Sequence, residues 1–281
     1  MSTVYLNGDL LPADEARISP DDRGFLFADA VYEVTSAYRG RPFRIEWHME
    51  RMARGLAALR IDFAVDGLPA IHERLLAAND LEDEEMATVY IQVTRGAAPR
   101  SHGFPPSDTT PTVYAFARRH RRPPMERILE GIGAITVPDR RWARVDVKTV
   151  QLLPNVLSYQ TALEGGADDA ILVRDGVALE GAASNLFFVF DGTVVTHPAT
   201  SRILPGITRH VVLELAKSLE IPVALRAVQV EEIRAADEVF FTSTTSEVRP
   251  CVDVDGRSVG DGRAGPVARK LLEAFRRETG G

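Results

Sequence analysis

Four tight-turn signals constrain the fold of this chain more than any other feature. Each is an Asn-Gly or Asp-Gly pair flanked by apolar runs, and they lie at residues 7–8, 175–176, 191–192 and 255–256. These pairs accept the left-handed backbone of two-residue hairpins, so each predicts two antiparallel strands. Strands outnumber helices and do not alternate strictly with them, which argues against a parallel doubly wound sheet. The sequence therefore predicts an α+β fold.

Apolar periodicity predicts the other elements. In the segment from Glu46 to Arg60, Met49, Met52, Leu56 and Leu59 share one helical stripe. Helices are also expected at residues 68–78, 154–163, 208–219 and 266–277, and strands at residues 88–95 and 113–118. The segment from Arg23 predicts a turn that leads into an apolar strand running to Tyr38.

The clearest break in the chain is Arg118-Arg119-His120-Arg121-Arg122, followed by two prolines. Such a run cannot continue a strand or be buried cheaply, so it predicts a solvated linker at residues 119–124. The linker would join an N-terminal α/β domain (residues 1–118) to a C-terminal α+β domain (residues 125–281). A nucleic-acid patch is disfavoured, because the run is short and the chain has a net charge of -7.

Bulk composition narrows the class of protein. A hydrophobic content of 45% is ample for a globular core. The single cysteine, Cys251, excludes an intrachain disulfide and is typical of a reducing compartment. The N-terminal residues lack a signal-peptide pattern, and no apolar run approaches the roughly 20 residues that span a bilayer. We expect a cytoplasmic protein with no membrane or nucleic-acid partner and no metal site.

Lys148 is the first candidate functional residue. The stretch Val145–Leu153 alternates and is rich in β-branched residues, which predicts a strand that is at least half buried. A desolvated lysine tends to lose its proton and become an amine nucleophile that forms Schiff bases with aldehydes. On this stretch alone, a strand-end lysine reaching towards water is the more common outcome.

Two loops have the character of phosphate sites. Gly206-Ile207-Thr208-Arg209 opens an amphipathic helix, whose first backbone N–H groups favour anions. Thr242-Ser243-Thr244-Thr245-Ser246-Glu247 follows an apolar strand. Alternatively, Thr208 is an ordinary helix cap, and the second loop is a turn in which Thr244 and Glu247 form a capping box. Two such loops together with a buried lysine favour a phosphorylated aldehyde cofactor.

Glu180 closes a predicted strand and is the second candidate. Pyridoxal phosphate (PLP) needs an acidic partner for its pyridine nitrogen, because the protonated ring is the electron sink. A strand-end glutamate that faces solvent is the alternative.

These residues also carry a family resemblance. In chain order, Arg51, Lys148, Glu180-Gly-x-x-Ser184-Asn185, Leu204-x-Gly206-Ile207-Thr208 and Ser243-Thr244-Thr245 resemble the pattern of fold-type IV PLP enzymes. That group includes D-amino acid, branched-chain and (R)-amine transaminases and aminodeoxychorismate lyases. The resemblance runs from Asn7 to the final helix. It implies a two-domain α+β fold like that of D-amino acid aminotransferases, with PLP as the cofactor bound by the C-terminal domain (residues 125–281).

The resemblance implies roles for the matching residues. Lys148 is the Schiff-base lysine and proton shuttle, and Glu180 pairs with the pyridinium nitrogen. The remaining cofactor-binding residues are Arg51, Ser184, Asn185, Leu204, Gly206, Ile207, Thr208, Ser243 and Thr244. This chain departs from the pattern at Ala182 and Ala183, where serines are usual, at Ser36, where a longer basic residue occurs, and at Pro205, where a polar residue occurs.

One loop distinguishes the branches of the group. Pro99-Arg100-Ser101-His102 resembles the Pro-Arg-x-His loop of bacterial D-amino acid transaminases. In that branch Arg100, His102 and Tyr32 bind the substrate α-carboxylate, which suits the two-bond grip of a guanidinium. Val34 and Thr245 are further substrate-binding candidates. The loop enters the neighbouring subunit there, so a homodimer is implied.

The expected function is transfer of the amino group of D-amino acids, such as D-alanine and D-glutamate, to 2-oxoglutarate or pyruvate. Alternatives on the same scaffold are an (R)-amine or branched-chain transaminase and an aminodeoxychorismate lyase. A non-enzymatic alternative is a small-molecule-binding protein that has lost PLP. The retention of both Lys148 and Glu180 counts against this last alternative.

Overall fold

The computed structural model describes residues 2–280, which form sixteen strands, seven α-helices and one 3-10 helix. The strands are β1 (Thr3–Leu6), β2 (Asp9–Pro12), β3 (Ala30–Tyr38), β4 (Arg41–Pro42), β5 (Ala87–Thr94), β6 (Val113–Arg119), β7 (Ile132–Pro138), β8 (Asp169–Arg174), β9 (Val177–Gly181), β10 (Asn185–Phe190), β11 (Thr193–Thr196), β12 (Val223–Leu225), β13 (Val228–Gln229), β14 (Glu238–Ser243), β15 (Glu247–Val254) and β16 (Arg257–Ser258). The helices are α1 (Arg23–Phe27), α2 (Ile45–Leu59), α3 (Leu68–Ala78), α4 (Met125–Leu129), α5 (Leu153–Glu164), α6 (Ile207–Ser218) and α7 (Pro266–Glu278), and the 3-10 helix is Val230–Ala235.

Contacts divide the chain into two compact units. The first contains the residues up to Arg122 together with Val147–Gln151, and the second contains Pro123–Asp146 and the residues from Leu152 onward. The sequence had assigned the Lys148 stretch to the C-terminal domain, but residues 147–151 make their contacts within the first unit.

The first unit is an antiparallel sheet with the strand order β2-β1-β6-β5-β3-β4. Helices α2 and α3 cover one face and bury a core in which Met52, Leu56 and Leu75 meet Val89 and Ile91. These are the apolar positions of the predicted helical stripe and of the alternating strand. The Asn7-Gly8 turn joins β1 to β2, and both of its residues have positive φ, as the hairpin signal requires.

The second unit is a ten-stranded mixed sheet, ordered β12-β11-β10-β14-β15-β7-β8-β9-β13, with β16 paired to β15. A further pairing of Asn185 with Glu180 joins β10 to β9 and closes six of these strands into a ring. Phe188 and Phe241 fill its core. Helices α6 and α7 pack on each other and on β14, and α5 packs on β7 and β8. The three Asp-Gly signals form the β8–β9, β10–β11 and β15–β16 turns, which confirms those predictions.

Three local predictions are wrong. The stretch Val145–Leu153 is irregular up to Leu152, and Leu153 opens α5. It forms one isolated bridge, between Thr149 and Val31, although Val145, Val147 and Thr149 are buried as the alternation predicted. Residues 23–27 form a short helix capped by Asp22 instead of a turn. Arg122 is buried and lies over the ring of Tyr38, so that end of the predicted linker is not solvated.

Within residues 2–280, no helix is both long enough and apolar enough to cross a bilayer.

Candidate active site

Lys148 is held against strand β3 by its backbone. The Tyr32 amide donates to the Lys148 carbonyl at 3.0 Å, and the neighbouring Thr149 bridges to Val31. The half-buried Lys148 side chain turns its Nζ to within 4.2 Å of the centroid of the Tyr32 ring. The structure therefore brings together the predicted nucleophile and one predicted substrate residue.

Tyr32 is the end of a row of stacked rings. Its ring stacks on Tyr90 at 5.4 Å, and Tyr90 stacks on Phe116 at 5.0 Å. Val34 lies on the same face of the sheet, opposite Tyr90 in the ladder. Burial raises the pKa of Tyr90, and its hydroxyl donates to Gln92 Oε1 at 2.7 Å. The row supplies a rigid, uncharged wall beside the lysine.

Arg51 lies on the helix-covered side of the same sheet. Its Nε and Nη2 donate to the two carboxylate oxygens of Glu33, each at 2.7 Å. The Nδ1 of His48 lies 2.7 Å from the Glu33 carboxylate. Burial opposes ionisation of Glu33, but the Arg51 guanidinium beside it holds the pKa of that carboxyl well below its usual range. This pair fixes the orientation of Arg51, a predicted phosphate ligand.

Arg100 and His102 lie on an exposed loop of the first unit. The Arg100 guanidinium lies 5.2 Å from the centroid of the Phe27 ring, and the His102 ring centroid lies 5.6 Å from it. Among the described residues, no hydrogen bond or ring contact joins either side chain to Lys148 or Tyr32 of the same chain. Two of the three predicted carboxylate residues, Arg100 and His102, therefore lie around Phe27, while Tyr32 lies beside Lys148.

Glu180 belongs to a buried hydrogen-bond network in the second unit. Its Oε2 accepts from the Asn185 side-chain amide at 2.9 Å and from the Leu204 backbone amide at 3.1 Å. Asn185 also donates to the Leu204 carbonyl at 2.8 Å. Glu180 is 3% exposed, so the alternative of a solvent-facing glutamate is wrong. Three of the predicted cofactor residues are thus brought together.

Arg141 gives Glu180 a charged partner. Its Nη1 donates to Glu180 Oε1, and its Nε donates to Asp139 at 2.9 Å. Asp139 also binds Arg174 at 2.8 Å. Burial raises the pKa of Glu180 to about 7, and the attraction of Arg141 works against that rise. A second cation placed beside Glu180, in addition to Arg141, would lower its pKa and favour the ionised carboxylate.

The start of α6 is shaped for an anion. Gly206 is the N-cap, and a Cβ there would lie 2.1 Å from Asn185 Oδ1, so a side chain would be excluded. Ile207 and Thr208 are buried at the first two helical positions, where backbone N–H groups lack intrahelical acceptors. Gly206, and not Thr208, is the capping residue, so the alternative in which Thr208 caps the helix is wrong.

Arg209, the next residue of α6, is buried. It donates to the His197 carbonyl at 2.9 Å, while its Nε has no hydrogen-bond partner.

The run Thr242–Glu247 forms the tight turn between β14 and β15, so the turn in the alternative is confirmed, although a strand and not a helix follows it. Ser243 Oγ accepts from the Ser246 amide at 3.1 Å, and Thr244 and Thr245 are half-buried at the turn. Thr242 Oγ1 is buried without a hydrogen-bond partner. Ser184 donates to Asp169 at 3.2 Å, which holds the turn after Glu180.

Comparison with known proteins identifies the family. The model of amino-transferase class IV matches residues 30–254. The chain belongs to this family. It is 40% identical to the D-alanine aminotransferase of Staphylococcus haemolyticus, over 98% of this chain and 97% of that protein. It is 38% identical to the Bacillus licheniformis D-alanine aminotransferase, over 97% and 95%.

Solved structures agree with this family assignment. The branched-chain amino acid aminotransferase of Escherichia coli has a TM-score of 0.90 at 28% identity and covers 98% of this chain and 93% of that one. A Thermus thermophilus branched-chain aminotransferase, solved with pyridoxamine 5'-phosphate, has a TM-score of 0.88 at 28% identity, covering 99% and 94%. This class IV aminotransferase therefore has the fold-type IV architecture and is a PLP-dependent enzyme.

The residues of this aminotransferase fit PLP. A buried carboxylate in the second unit can pair with a pyridine nitrogen, and the start of α6 can receive a phosphate. Two buried polar atoms of the same unit, Thr242 Oγ1 and Arg209 Nε, lack partners. When bound, PLP supplies the electron sink that stabilises a substrate carbanion.

Sequence reasoning missed several charged residues of the aminotransferase. Arg141, Glu33 and His48 contact predicted site residues, yet none belongs to the motifs. A signal existed for Arg141, because Asp139-Arg140-Arg141 lies a few residues before Lys148 and a buried glutamate requires a cation. No sequence signal pointed to Glu33, which lies 18 residues from Arg51.

Proposed function

We propose that this aminotransferase moves the amino group of D-amino acids, such as D-alanine and D-glutamate, to a 2-oxo acid, 2-oxoglutarate or pyruvate. The observation that carries the proposal is the loop that holds Arg100 and His102 around Phe27. The curated relatives named D-alanine aminotransferases, at 40% and 38% identity over nearly their whole length, support the same substrate class.

Lys148 is the proposed carrier of the substrate α-proton. Its Nζ would hold PLP at the aldehyde carbon of the cofactor, and when not attached there it would be the base that takes and returns the α-proton of the amino acid. The ring of Tyr32, 4.2 Å from Nζ, limits where the amine can lie. Donor and acceptor substrates use the same lysine in turn, so ping-pong kinetics follow.

Glu180 pairs with the pyridine nitrogen. Its carboxylate is oriented by Asn185 and by the Leu204 amide, and Arg141 favours its ionised form. Leu204, Ser184 and Asn185 lie beside the ring in this proposal. An ionised Glu180 keeps the nitrogen protonated, which the electron sink requires.

The phosphate is held by Arg51, Gly206, Ile207, Thr208, Ser243 and Thr244 in this proposal. The N–H groups of Ile207 and Thr208 point out of the start of α6, where an anion is favoured. Gly206 leaves room for the Asn185 side chain beside the start of α6, because a side chain at position 206 would collide with it. Glu33 keeps the Arg51 guanidinium in one orientation.

The substrate carboxylate is bound by Arg100 and His102, with Tyr32, Val34 and Thr245 lining the substrate. We also propose a homodimer in which this loop serves the partner's lysine. Among the described residues, no hydrogen bond or ring contact joins Arg100 or His102 to Lys148 or Tyr32 of their own chain, which supports this arrangement. Helix α5 exposes Leu153, Val156 and Leu157, an apolar face suited to a second copy. A cytoplasmic location remains a prediction.

A branched-chain aminotransferase is the second candidate, because the E. coli and T. thermophilus structures carry that name. An absorbance spectrum of the PLP-loaded enzyme separates the two candidates. We expect D-alanine to convert the bound cofactor to its pyridoxamine form, with L-leucine and (R)-1-phenylethylamine unreactive. Conversion by L-leucine or the amine in place of D-alanine would overturn the substrate proposal. Release of many equivalents of pyruvate per enzyme from aminodeoxychorismate, with no acceptor oxo acid, would indicate a lyase.

A further inference from the structure

Asp29 is a partly buried carboxylate, 12% exposed, that joins two arginines next to the loop carrying Arg100. Its Oδ2 accepts from Arg23 Nε at 2.9 Å and from Arg95 Nε at 2.7 Å, and its Oδ1 accepts from Arg95 Nη2 at 3.0 Å. Burial opposes ionisation of Asp29, but the two arginines together hold its pKa below the usual value. The three residues form a fixed, charged cluster.

Arg23 extends this cluster into the loop. Its Nη1 donates to the Ser101 carbonyl at 2.7 Å and to the Gly103 carbonyl at 3.3 Å. Ser101 lies between Arg100 and His102 in the chain, so this bond holds the backbone from which both side chains emerge. The Arg23 guanidinium also lies 4.7 Å from the Phe27 centroid, the ring that both side chains contact.

Arg95 holds the far end of the loop through Phe104. Its guanidinium lies 3.9 Å from the centroid of that ring, and the Arg60 guanidinium lies 4.5 Å from it. Arg95 is itself fixed by bonds to the carbonyls of Arg60 and Leu59. Phe104 is 51% exposed, so these two cations, more than core packing, hold it.

The base of the loop is also closed. Gly96 has φ +93°, and a Cβ there would lie 2.1 Å from the Thr110 carbonyl, so only glycine lets the two chain segments approach. The Gly96 amide donates to Thr94 Oγ1 at 2.9 Å, and the Gly96 carbonyl accepts from the Arg23 amide at 2.9 Å. The loop is thus fixed at its base, its middle and its far end.

We propose that Asp29, Arg23, Arg95 and Phe104 form an anchor that positions Arg100 and His102 to bind the substrate carboxylate. The inference rests on the proposed function, since it assigns the anchor to the same substrate site. An exposed loop left unanchored would have to be ordered when substrate binds, and that entropy cost would weaken binding. The anchor removes that cost in advance, so it acts on substrate binding and leaves the chemistry at Lys148 unchanged.

The test uses Phe104→Leu, which keeps apolar bulk but loses both cation contacts, and Arg23→Met, which loses both carbonyl bonds. Phe104→Trp is the conservative variant. Tyr5→Leu is the matched control, because it removes an arginine-stacked ring on β1, which is separated from β3 by two strands of the sheet. Each PLP-loaded enzyme is assayed with D-alanine or L-leucine, whichever the wild type converts faster.

We expect KM for the amino acid to rise at least 10-fold in Phe104→Leu and Arg23→Met, with kcat within threefold of the wild type. KM should stay within twofold in Phe104→Trp and Tyr5→Leu. Unchanged KM in Phe104→Leu, or a fall in kcat with KM constant, would overturn the anchor while leaving the proposed function intact. A wild type that converts only L-leucine would overturn the D-amino acid assignment alone. A wild type that converts neither would overturn both.

Discussion

The amine nitrogen of Lys148 lies 4.2 Å from the centroid of the Tyr32 ring, and the backbones of the two residues are joined by a 3.0 Å hydrogen bond. The proposed nucleophile and the ring are therefore fixed to each other by main chain and side chain together. Val147 and Thr149, which flank the lysine, are buried, so the backbone of Lys148 cannot shift without disturbing the core of the first unit.

Replacing Lys148 by alanine should abolish the Schiff base and lower kcat by about 10³-fold or more, because both the nucleophile and the proton carrier are lost. Lys148→Arg keeps a long basic side chain beside Tyr32 but offers no primary amine, so it should be equally inactive. Turnover and the absorbance of the bound cofactor are measured together. Wild-type turnover in either variant would contradict the assignment.

Glu180→Gln should change how the stability of the cofactor-free protein depends on pH. Burial raises the pKa of Glu180 to about 7 from 4.5, so the folded state holds the proton more tightly than the unfolded chain. Wild-type stability from this group is fully present below pH 4.5 and falls as pH rises through 7. The loss approaches ~3 kcal/mol at most. Glutamine cannot ionise, so the Tm of the variant minus the Tm of the wild type should increase between about pH 5 and 8. A Tm difference that does not change with pH would refute this prediction.

Arg141→Met should raise the pKa of Glu180 further, because the cation that favours the carboxylate is removed. The acidic limb of the kcat/KM profile should then move to higher pH, since protonated Glu180 cannot pair with a protonated pyridine nitrogen. Arg174→Met is the matched control, because Arg174 also binds Asp139 but makes no bond to Glu180. Equal shifts in the two variants would argue against a specific role for Arg141.

Gly206→Ala should weaken PLP binding at least 10-fold, because the added Cβ would lie 2.1 Å from Asn185 Oδ1 and displace the start of α6. Gly133→Ala is the control, since a Cβ there meets no atom within 4 Å. The dissociation constant of PLP is measured by absorbance titration. Wild-type affinity in Gly206→Ala would remove the phosphate assignment from this helix.

Leu157→Glu should convert the proposed homodimer to a monomer with little activity, because a carboxylate placed on the apolar face of α5 would have to be desolvated at the interface. Leu225→Glu, an equally exposed leucine on β12, should leave the oligomeric state unchanged. Molar mass by light scattering distinguishes the outcomes. A wild-type protein that is monomeric and fully active would contradict the dimer.

The elements predicted from local pattern match the structure where local chemistry decides them. Helix α3 begins at Leu68 and ends at Ala78, as expected from Pro69 in its first turn and its apolar spacing. Helix α1 was missed because its five residues are too few for periodicity, and Asp22 stabilises it through a single cap bond to Gly24.

The sequence by itself determined the hairpins, the main helices and the motif residues Lys148 and Glu180, since these depend on turn chemistry, spacing and residue type. Only the tertiary structure decided which charged residues meet. Asp29 meets Arg95 across 66 residues, Arg51 meets Glu33 across 18, and Arg141 meets Glu180 across 39. Such pairs form because burying an ion requires a counter-charge, and the fold determines which distant residue supplies it.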